Sequence, residues 1–332
     1  MATFLNYPFD PELFSYNWAN ATDTTLTAMI ESGAVQNNAE LAKLIANGSD
    51  FYTLPFYKVL GGEADNYDGV ANITVTDPQG GSQSGIVYGR AHAWKSRDFV
   101  IDYNSGADPM KQITSQVAKY WQKNRQRTML KILDAVFGID EAGWNDHKTD
   151  ISSATSTISA DNKIGATTIG DAIQKAVGDN ADAFGLVFMH SKVATNLAGL
   201  KLLEFLKYTD ANGIERPLKI GTLNGMTVIV DDGCPVNDGK YTTYVLGTGA
   251  IQFAKASVEN PTEVTRDALS AGGYDALVTR LRETLHPNGF SFAKPEGYTA
   301  SPTDAMLGNS ANWSISAESA KSIALARIIS NG

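Results

Sequence analysis

The 332-residue chain has one cysteine, Cys234. A disulfide framework and a cysteine-rich metal cluster are therefore excluded. A fold reached without disulfides suits a reducing cytoplasm. Histidine is almost as scarce: His92, His147, His190 and His286 are scattered, with no His-x-x-x-His or His-Glu pair at metal-ligand spacing. No apolar run approaches the ~20 residues needed to span a bilayer, so no membrane partner is expected. The N-terminus, starting Met1-Ala-Thr-Phe-Leu-Asn6, lacks the basic-then-apolar pattern of a secretory leader. Excess positive charge is also missing. The 36 acidic and 27 basic residues give a net charge of −9. A protein that grips nucleic acid over its whole surface is basic, and this one is not; were it to lie near DNA, it would contain the DNA more than bind it.

Catalytic motifs are absent as well. Gly247-Thr-Gly249 lacks the third glycine and the helix of a dinucleotide fingerprint, and no Gly-Lys-Ser/Thr follows to make a phosphate loop. There is no Gly-x-Ser-x-Gly elbow. Cys234 lies in Asp231-Asp-Gly-Cys-Pro235, where neighbouring carboxylates raise a thiol pKa and weaken it as a nucleophile. Asp231, Asp232 and Asp238 lack the Asp-x-Asx-x-Asx-Gly spacing of a calcium loop. No catalytic, cofactor-binding or metal-ligating residue is assigned. A hydrolase using Cys234 or a histidine is the remote alternative.

What the chain does have is elongated pieces. Residues 1–57 read as an arm and lead-in, with Phe4, Tyr7, Phe9, Phe14, Tyr16 and Trp18 in poorly periodic sequence and a short amphipathic segment at Ala39–Ile45. Aromatic content argues against a disordered tail; such an arm needs a surface to lie on. Residues 70–99 read as a long β-hairpin. Ala71, Ile73 and Val75 alternate with polar residues on the first strand, Pro78–Gly85 is a Gly/Ser tip, and Ile86–Phe99 is the return strand. Two strands alone are marginal in water, so the hairpin is expected to dock elsewhere; an ordinary hairpin within a sheet is the plainer reading.

Residues 108–138 give the clearest helix. Asp108 is the N-cap, Pro109 the first helical position and Gly138 the stop. Lys119, Lys123, Arg125, Arg127 and Lys131 run along it. They read as an inter-subunit or DNA-facing stripe, or as a solvated face. Downstream come a helix at about 168–178, a buried strand at Gly185–His190, and a helix from Ser191 carrying Val193, Leu197, Leu200, Leu203 and Leu206. A hairpin follows from Leu218 to Val230, turning at Asn224-Gly225. Strands flank Gly247–Gly249, residues 274–292 read strand, Pro-Asn-Gly turn, strand, and a strand or short helix covers Lys321–Ile329.

Four pieces in the second half, in this order, resemble the tailed-bacteriophage major capsid proteins, whose fold is shared with herpesvirus capsid proteins. They are Ile220-Gly-Thr-Leu-Asn-Gly-Met-Thr-Val-Ile-Val-Asp-Asp232 with Pro235, and Tyr241-Thr-Thr-Tyr-Val-Leu-Gly-Thr-Gly-Ala-Ile251. Then come Glu263–Leu269 with Gly272-Gly-Tyr-Asp275, Arg280, Arg282 and His286-Pro-Asn-Gly-Phe290. Last are Ser301–Leu307, Asn312-Trp313, Lys321-Ser-Ile323 and Asn331. The resemblance implies an α+β phage capsid fold. Its parts would be an N-terminal arm (1–57), an extended β-hairpin loop (58–100), a peripheral domain (101–139 and 255–298) with spine helix 108–138, and a mixed α/β axial domain (140–254 and 299–332). It implies a non-enzymatic subunit that forms pentamers and hexamers of an icosahedral head around double-stranded DNA, without sequence-specific binding, in the virion after assembly in the bacterial cytoplasm. An encapsulin-like nanocompartment shell is the alternative with the same fold.

The short arm leads us to expect a separate scaffolding protein; a portal protein is a further expected partner, and a decoration protein is compatible. Candidate inter-subunit contacts are Trp18 on the arm, Tyr88, Arg90, Trp94, Lys95 and Arg97 on the return strand, and Lys123, Arg125 and Arg127 on the helix. Lys95 is the only lysine far out on the hairpin, and no cross-link is expected there.

Overall fold

The structure is a computed structural model. It describes residues 2–4, 7–9, 35–46, 48–58, 63–67, 72, 75, 77, 80–97, 109–154, 158–209, 215–269 and 273–332. Trp18, Asp108 and most of the expected first hairpin strand lie outside them.

The chain begins with a paired β1 (Ala2–Phe4) and β2 (Tyr7–Phe9), then β3 (Val35–Asn37) and helix α1 (Ala39–Ala46). Asn38 caps α1: its Oδ1 accepts from the Glu40 and Leu41 amides at 3.0 Å each. The amphipathic segment expected at Ala39–Ile45 is thus a helix, burying Leu41 and Ile45. Strands β4 (Phe51–Tyr57), β5 (Gly80–Ile86) and β6 (Tyr88–Arg97) lead to the long helix α2 (Pro109–Phe137). Proline opens α2, where a missing N–H costs nothing. At its end the Val136 carbonyl accepts from Trp144 Nε1 at 3.0 Å and from the Ile139 amide at 3.2 Å.

Next come β7 (Lys148–Asp150), helix α3 (Thr168–Val177), β8 (Phe184–Met189), helix α4 (Ser191–Gly199), β9 (Glu204–Thr209), β10 (Glu215–Leu223) and β11 (Met226–Val230). Asn224 and Gly225, with φ of 51° and 80°, make the tight β10–β11 turn. The last stretch holds β12 (Val236–Asn237), β13 (Lys240–Gly247), β14 (Ile251–Ala256), β15 (Thr262–Asp267), β16 (Tyr274–Pro287) and β17 (Phe290–Phe292). Helix α5 (Asp304–Leu307), β18 (Trp313–Ile315) and β19 (Leu325–Ser330) close the chain.

Two sheets organise the subunit. One is eight-stranded, ordered β7-β19-β13-β8-β11-β10-β9, with β12 beside β13. β8 is apolar throughout because both its faces are covered. Val187 and Met189 face α3 and α4 among Ile173, Val177, Val193 and Leu197, whereas Leu186 and Phe188 join the core under α2 with Leu133 and Phe137. The other sheet has five strands centred on β16. β6 pairs with Tyr274–Glu283 along one edge of β16, and β15 and β14 follow one another along the opposite edge. β3 closes this sheet parallel to β14.

Two expectations shift. The hairpin expected over 70–99 does not form as read: β6 pairs with β16, and Asn72, Val75 and Asp77 belong to no strand. Instead the Gly/Ser stretch expected as a tip supplies β5, which pairs antiparallel with Phe51–Tyr57. The extended ribbon therefore has legs β4 and β5, with residues 58–79 between them. Gly81 and Gly85 make this pairing work. Their cross-strand partners are Phe56 and Tyr52, and a Cβ on either glycine would lie 2.5 Å and 2.3 Å from the respective rings. Glycine here makes room for an aromatic cover, a device local propensity does not reveal. The second shift is in α4. It ends at Gly199, Lys201 adopts a φ of 57°, and Leu206 belongs to β9. Pairing with β10 takes that segment from the helix.

The Tyr52 ring is buried and held by a 3.1 Å bond between its hydroxyl and Thr284 Oγ1, so it has no room to move away. Gly85→Ala is expected to destabilise the unassembled subunit by about 1–3 kcal/mol. Gly80→Ala, whose added Cβ meets nothing nearer than 3.7 Å, should stay close to wild type. Thermal midpoints of the two variants test the aromatic cover.

Candidate functional site: the faces left for a second copy

A buried ionic node joins the long helix to the five-stranded sheet. Arg125 of α2 donates from Nε and Nη2 to Glu283 Oε2 of β16, at 2.9 and 2.6 Å. Tyr88 of β6 donates its hydroxyl to Glu283 Oε1 at 2.9 Å. The guanidinium also lies 4.8 Å from the Phe253 ring centroid on β14. Burial alone would lower the Arg125 pKa, and Glu283 more than offsets it, so the guanidinium stays charged. Burial, reinforced by Glu283, pushes the Tyr88 phenol well above its usual value.

A second clamp uses Asp304 of α5. Its Oδ1 accepts from Arg90 Nη2 at 2.6 Å, and its Oδ2 accepts from Lys131 Nζ at 2.9 Å. Burial alone would raise this carboxyl's pKa; the Lys131 and Arg90 bonds hold it below the usual range. The clamp ties β6 and α2 to the C-terminal tail.

These contacts sort the candidates for inter-subunit contact. Tyr88 is 1% exposed and Arg125 is bound to Glu283, so both serve the subunit interior. Arg90 is committed to Asp304 and to the Pro302 carbonyl, 3.0 Å away. The sequence marked these three by charge and strand position, and within the subunit each is held by a long-range partner. Trp94 is half-buried and Lys95 exposed, its ammonium 5.5 Å from the Tyr274 ring centroid. Arg97 pairs through its backbone with Tyr274. Lys123 and Arg127 are exposed on α2. Trp94, His92 and Tyr120 pack as an aromatic trio bridging β6 and α2, with centroids 4.7–5.1 Å apart.

Sequence reasoning missed the largest exposed apolar groups. Tyr57, at the end of β4, and Tyr67 and Val75, between β4 and β5, are 87–93% exposed; the alternation at Ala71–Val75 reads Val75 as a strand residue, and no periodicity flags the two tyrosines. Leu269, between β15 and β16, is 96% exposed. At the ribbon base an open cleft of about 630 Å³ lies between Leu54, Phe56, Ala250, Asn288, Ala317 and Ile323.

The groups considered for chemistry are dispersed. Burial, with Asp231 and Asp232, pushes the Cys234 thiol up to about 12, which leaves it a poor nucleophile. His190 caps α4, its Nδ1 accepting from the Lys192 amide at 3.1 Å. His147 bonds the Leu325 carbonyl through Nδ1 at 2.6 Å. His286 bonds the Phe290 carbonyl across the β16–β17 turn through Nε2 at 2.8 Å. Among the described residues no group of three or more His, Cys, Asp or Glu is placed to hold a metal.

The major capsid protein of Bacillus phage SPP1 is 34% identical to the chain over 310 residues, covering 91% of this chain and 90% of that protein. A family model described as Gp13-like, major capsid protein 13-like, matches residues 47–324. The chain belongs to this family of phage major capsid proteins. Solved structures agree on the fold. The capsid asymmetric unit of cyanophage Pam1 matches with a TM-score of 0.53 at 13% identity, over 76% of this chain and 84% of that one. The capsid of Ralstonia phage GP4 also scores 0.53, at 12% identity, over 79% and 84%. The α+β capsid fold anticipated from the four C-terminal pieces is the fold found, and this major capsid protein is a structural component of the virion.

Two expected outcomes follow from the geometry of this capsid protein. Removing one partner of a buried pair leaves an uncompensated charge, so Arg125→Ala should cost about 3–5 kcal/mol. The double change Arg125→Met with Glu283→Leu should cost less than the single one. Urea denaturation of the unassembled subunits makes the comparison. Burial lowers His286 from 6.5 to about 4, so between those values the unfolded chain takes up a proton that the folded one refuses. Stability from this group is therefore full above pH 6.5 and falls as pH drops toward 4, by about 3 kcal/mol in all. His286→Gln should flatten the fall in urea midpoint between pH 7 and 4.

Proposed function

We propose that this capsid protein forms pentamers and hexamers that close into the icosahedral head of a tailed phage, enclosing double-stranded DNA, and that its role is structural rather than enzymatic. The observation that carries the proposal is the ribbon. Tyr57 at the end of β4, and Tyr67 and Val75 between β4 and β5, stand almost fully exposed beside a two-stranded element. A second copy that covers them makes a heterologous contact, and such contacts form rings when the rotation between copies closes.

In this reading the five-stranded sheet and α2 form the peripheral domain, and the eight-stranded sheet with α3 and α4 forms the axial domain around which rings close. The N-terminal arm, with Trp18, reaches a neighbouring copy, and Trp94, Lys95 and Arg97 on β6 contribute to contacts between copies. Assembly takes place in the host bacterial cytoplasm with a separate scaffolding protein and a portal protein, and a decoration protein is compatible with the finished shell.

Light scattering and negative-stain microscopy of the purified protein, alone and with its scaffold, test the proposal. Closed shells or rings are expected. A strict monomer under every condition would overturn it.

A further inference from the structure

One exposed face of the subunit is cationic in a chain whose net charge is −9. Helix α2 carries Lys111, Lys119, Lys123, Arg125, Arg127 and Lys131, and no acidic residue before Asp134. Strand β6 carries Arg90, His92, Lys95 and Arg97 and no acidic residue at all. The internal contacts use some of these charges: Arg125 binds Glu283, and Arg90 and Lys131 bind Asp304. Lys119, Lys123 and Arg127 are left exposed, with no salt bridge among the described residues.

Their placement is regular. At 100° per residue Gln116, Lys119, Tyr120, Lys123 and Arg127 fall within an arc of about 100° on the solvent side of α2. The buried Val117, Trp121 and Met129 occupy the other side. Tyr120 contacts His92 and Trp94, with ring centroids 4.9 and 5.1 Å away, so the helix stripe continues onto β6 and reaches Lys95. Helix and strand thus form one surface with unpaired positive charge along one side and aromatic rings beside it.

We propose that this face, through Lys119, Lys123 and Arg127, binds the phosphate backbone of double-stranded DNA. Charge complementarity selects the occupant. The three cations span about 12 Å of helix axis, a length over which a DNA duplex presents about seven phosphates, so each cation finds one without sequence readout. Each side chain is long and exposed, which suits contacts that tolerate any register. The proposal rests on the reading of the chain as the shell around a DNA genome and adds a point of contact between shell and contents. It is also compatible with the acidic total, because the positive charge is local.

The test uses full-length unassembled protein and a fluorescein-labelled 30-base-pair duplex of random sequence, read by anisotropy. Three phosphate contacts give a slope of about −2.7 in log affinity against log salt, so binding should weaken about 40-fold from 50 to 200 mM salt. K119Q/K123Q/R127Q should abolish the measurable binding, and the charge-preserving K119R/K123R/R127K should retain it with the same slope. Absent binding by the wild type, or a triple Gln variant that binds like wild type, overturns the proposal. So does a triple Gln variant that binds DNA normally but forms no shells, since the face would then be a contact between copies. Shell formation is scored by negative stain on the same samples. Wild-type shells without duplex binding would reject only this inference, and wild-type protein that never assembles would reject the shell reading itself.

Discussion

The Arg125–Glu283 pair is the constraint on which the rest of the subunit depends. It sits where α2, β6, β14 and β16 meet, and each of these elements sends a side chain to it: Arg125, Tyr88, Phe253 and Glu283. Two charges out of water are tolerated only when their geometry is good and their remaining valences are filled. Here two Arg125 donors fill Glu283 Oε2 and the Tyr88 hydroxyl fills Oε1. The node therefore sets the position of the helix along the sheet and not merely its attachment. Since α2 also carries the solvent-facing stripe, the node determines where the exposed charges stand.

The subunit has two kinds of surface, and the difference is physical. Asp304, Arg90 and Lys131 knit the tail back to α2 and β6 through ion pairs inside the body of the subunit. The ribbon does not satisfy its own apolar groups. Tyr52 and Phe56 pack over the glycines of β5, yet Tyr57, Tyr67 and Val75 are 87–93% exposed. The ion pairs thus lie in the body of the subunit, and exposed apolar groups lie at the extensions. His147, His190 and His286 each hydrogen-bond a backbone group, and Cys234 is buried in the core.

Much of the fold was legible because it is written in short-range signals. Pro109 and Gly138 bracket α2, Asn224-Gly225 turns β10 into β11, and the apolar run before His190 is a strand covered on both faces. The candidate contacts were less legible. Tyr88 and Arg125 look like surface residues of an amphipathic element until Glu283, 195 and 158 residues away in sequence, is brought to them. Likewise Gly80–Ile86 has the composition of a loop and becomes a strand only because aromatic side chains on Phe51–Tyr57 cover it.

The sequence by itself determined the family, the long helix, the turn chemistry and the absence of a catalytic or metal motif, since each rests on residue type at fixed local spacing. Tertiary structure alone decided which strand pairs with which, where α4 stops, and which cations are bound internally and which are left to solvent. Those outcomes depend on partners far along the chain, because a strand's neighbour and a charge's counter-ion are chosen by burial, and burial is a property of the whole fold.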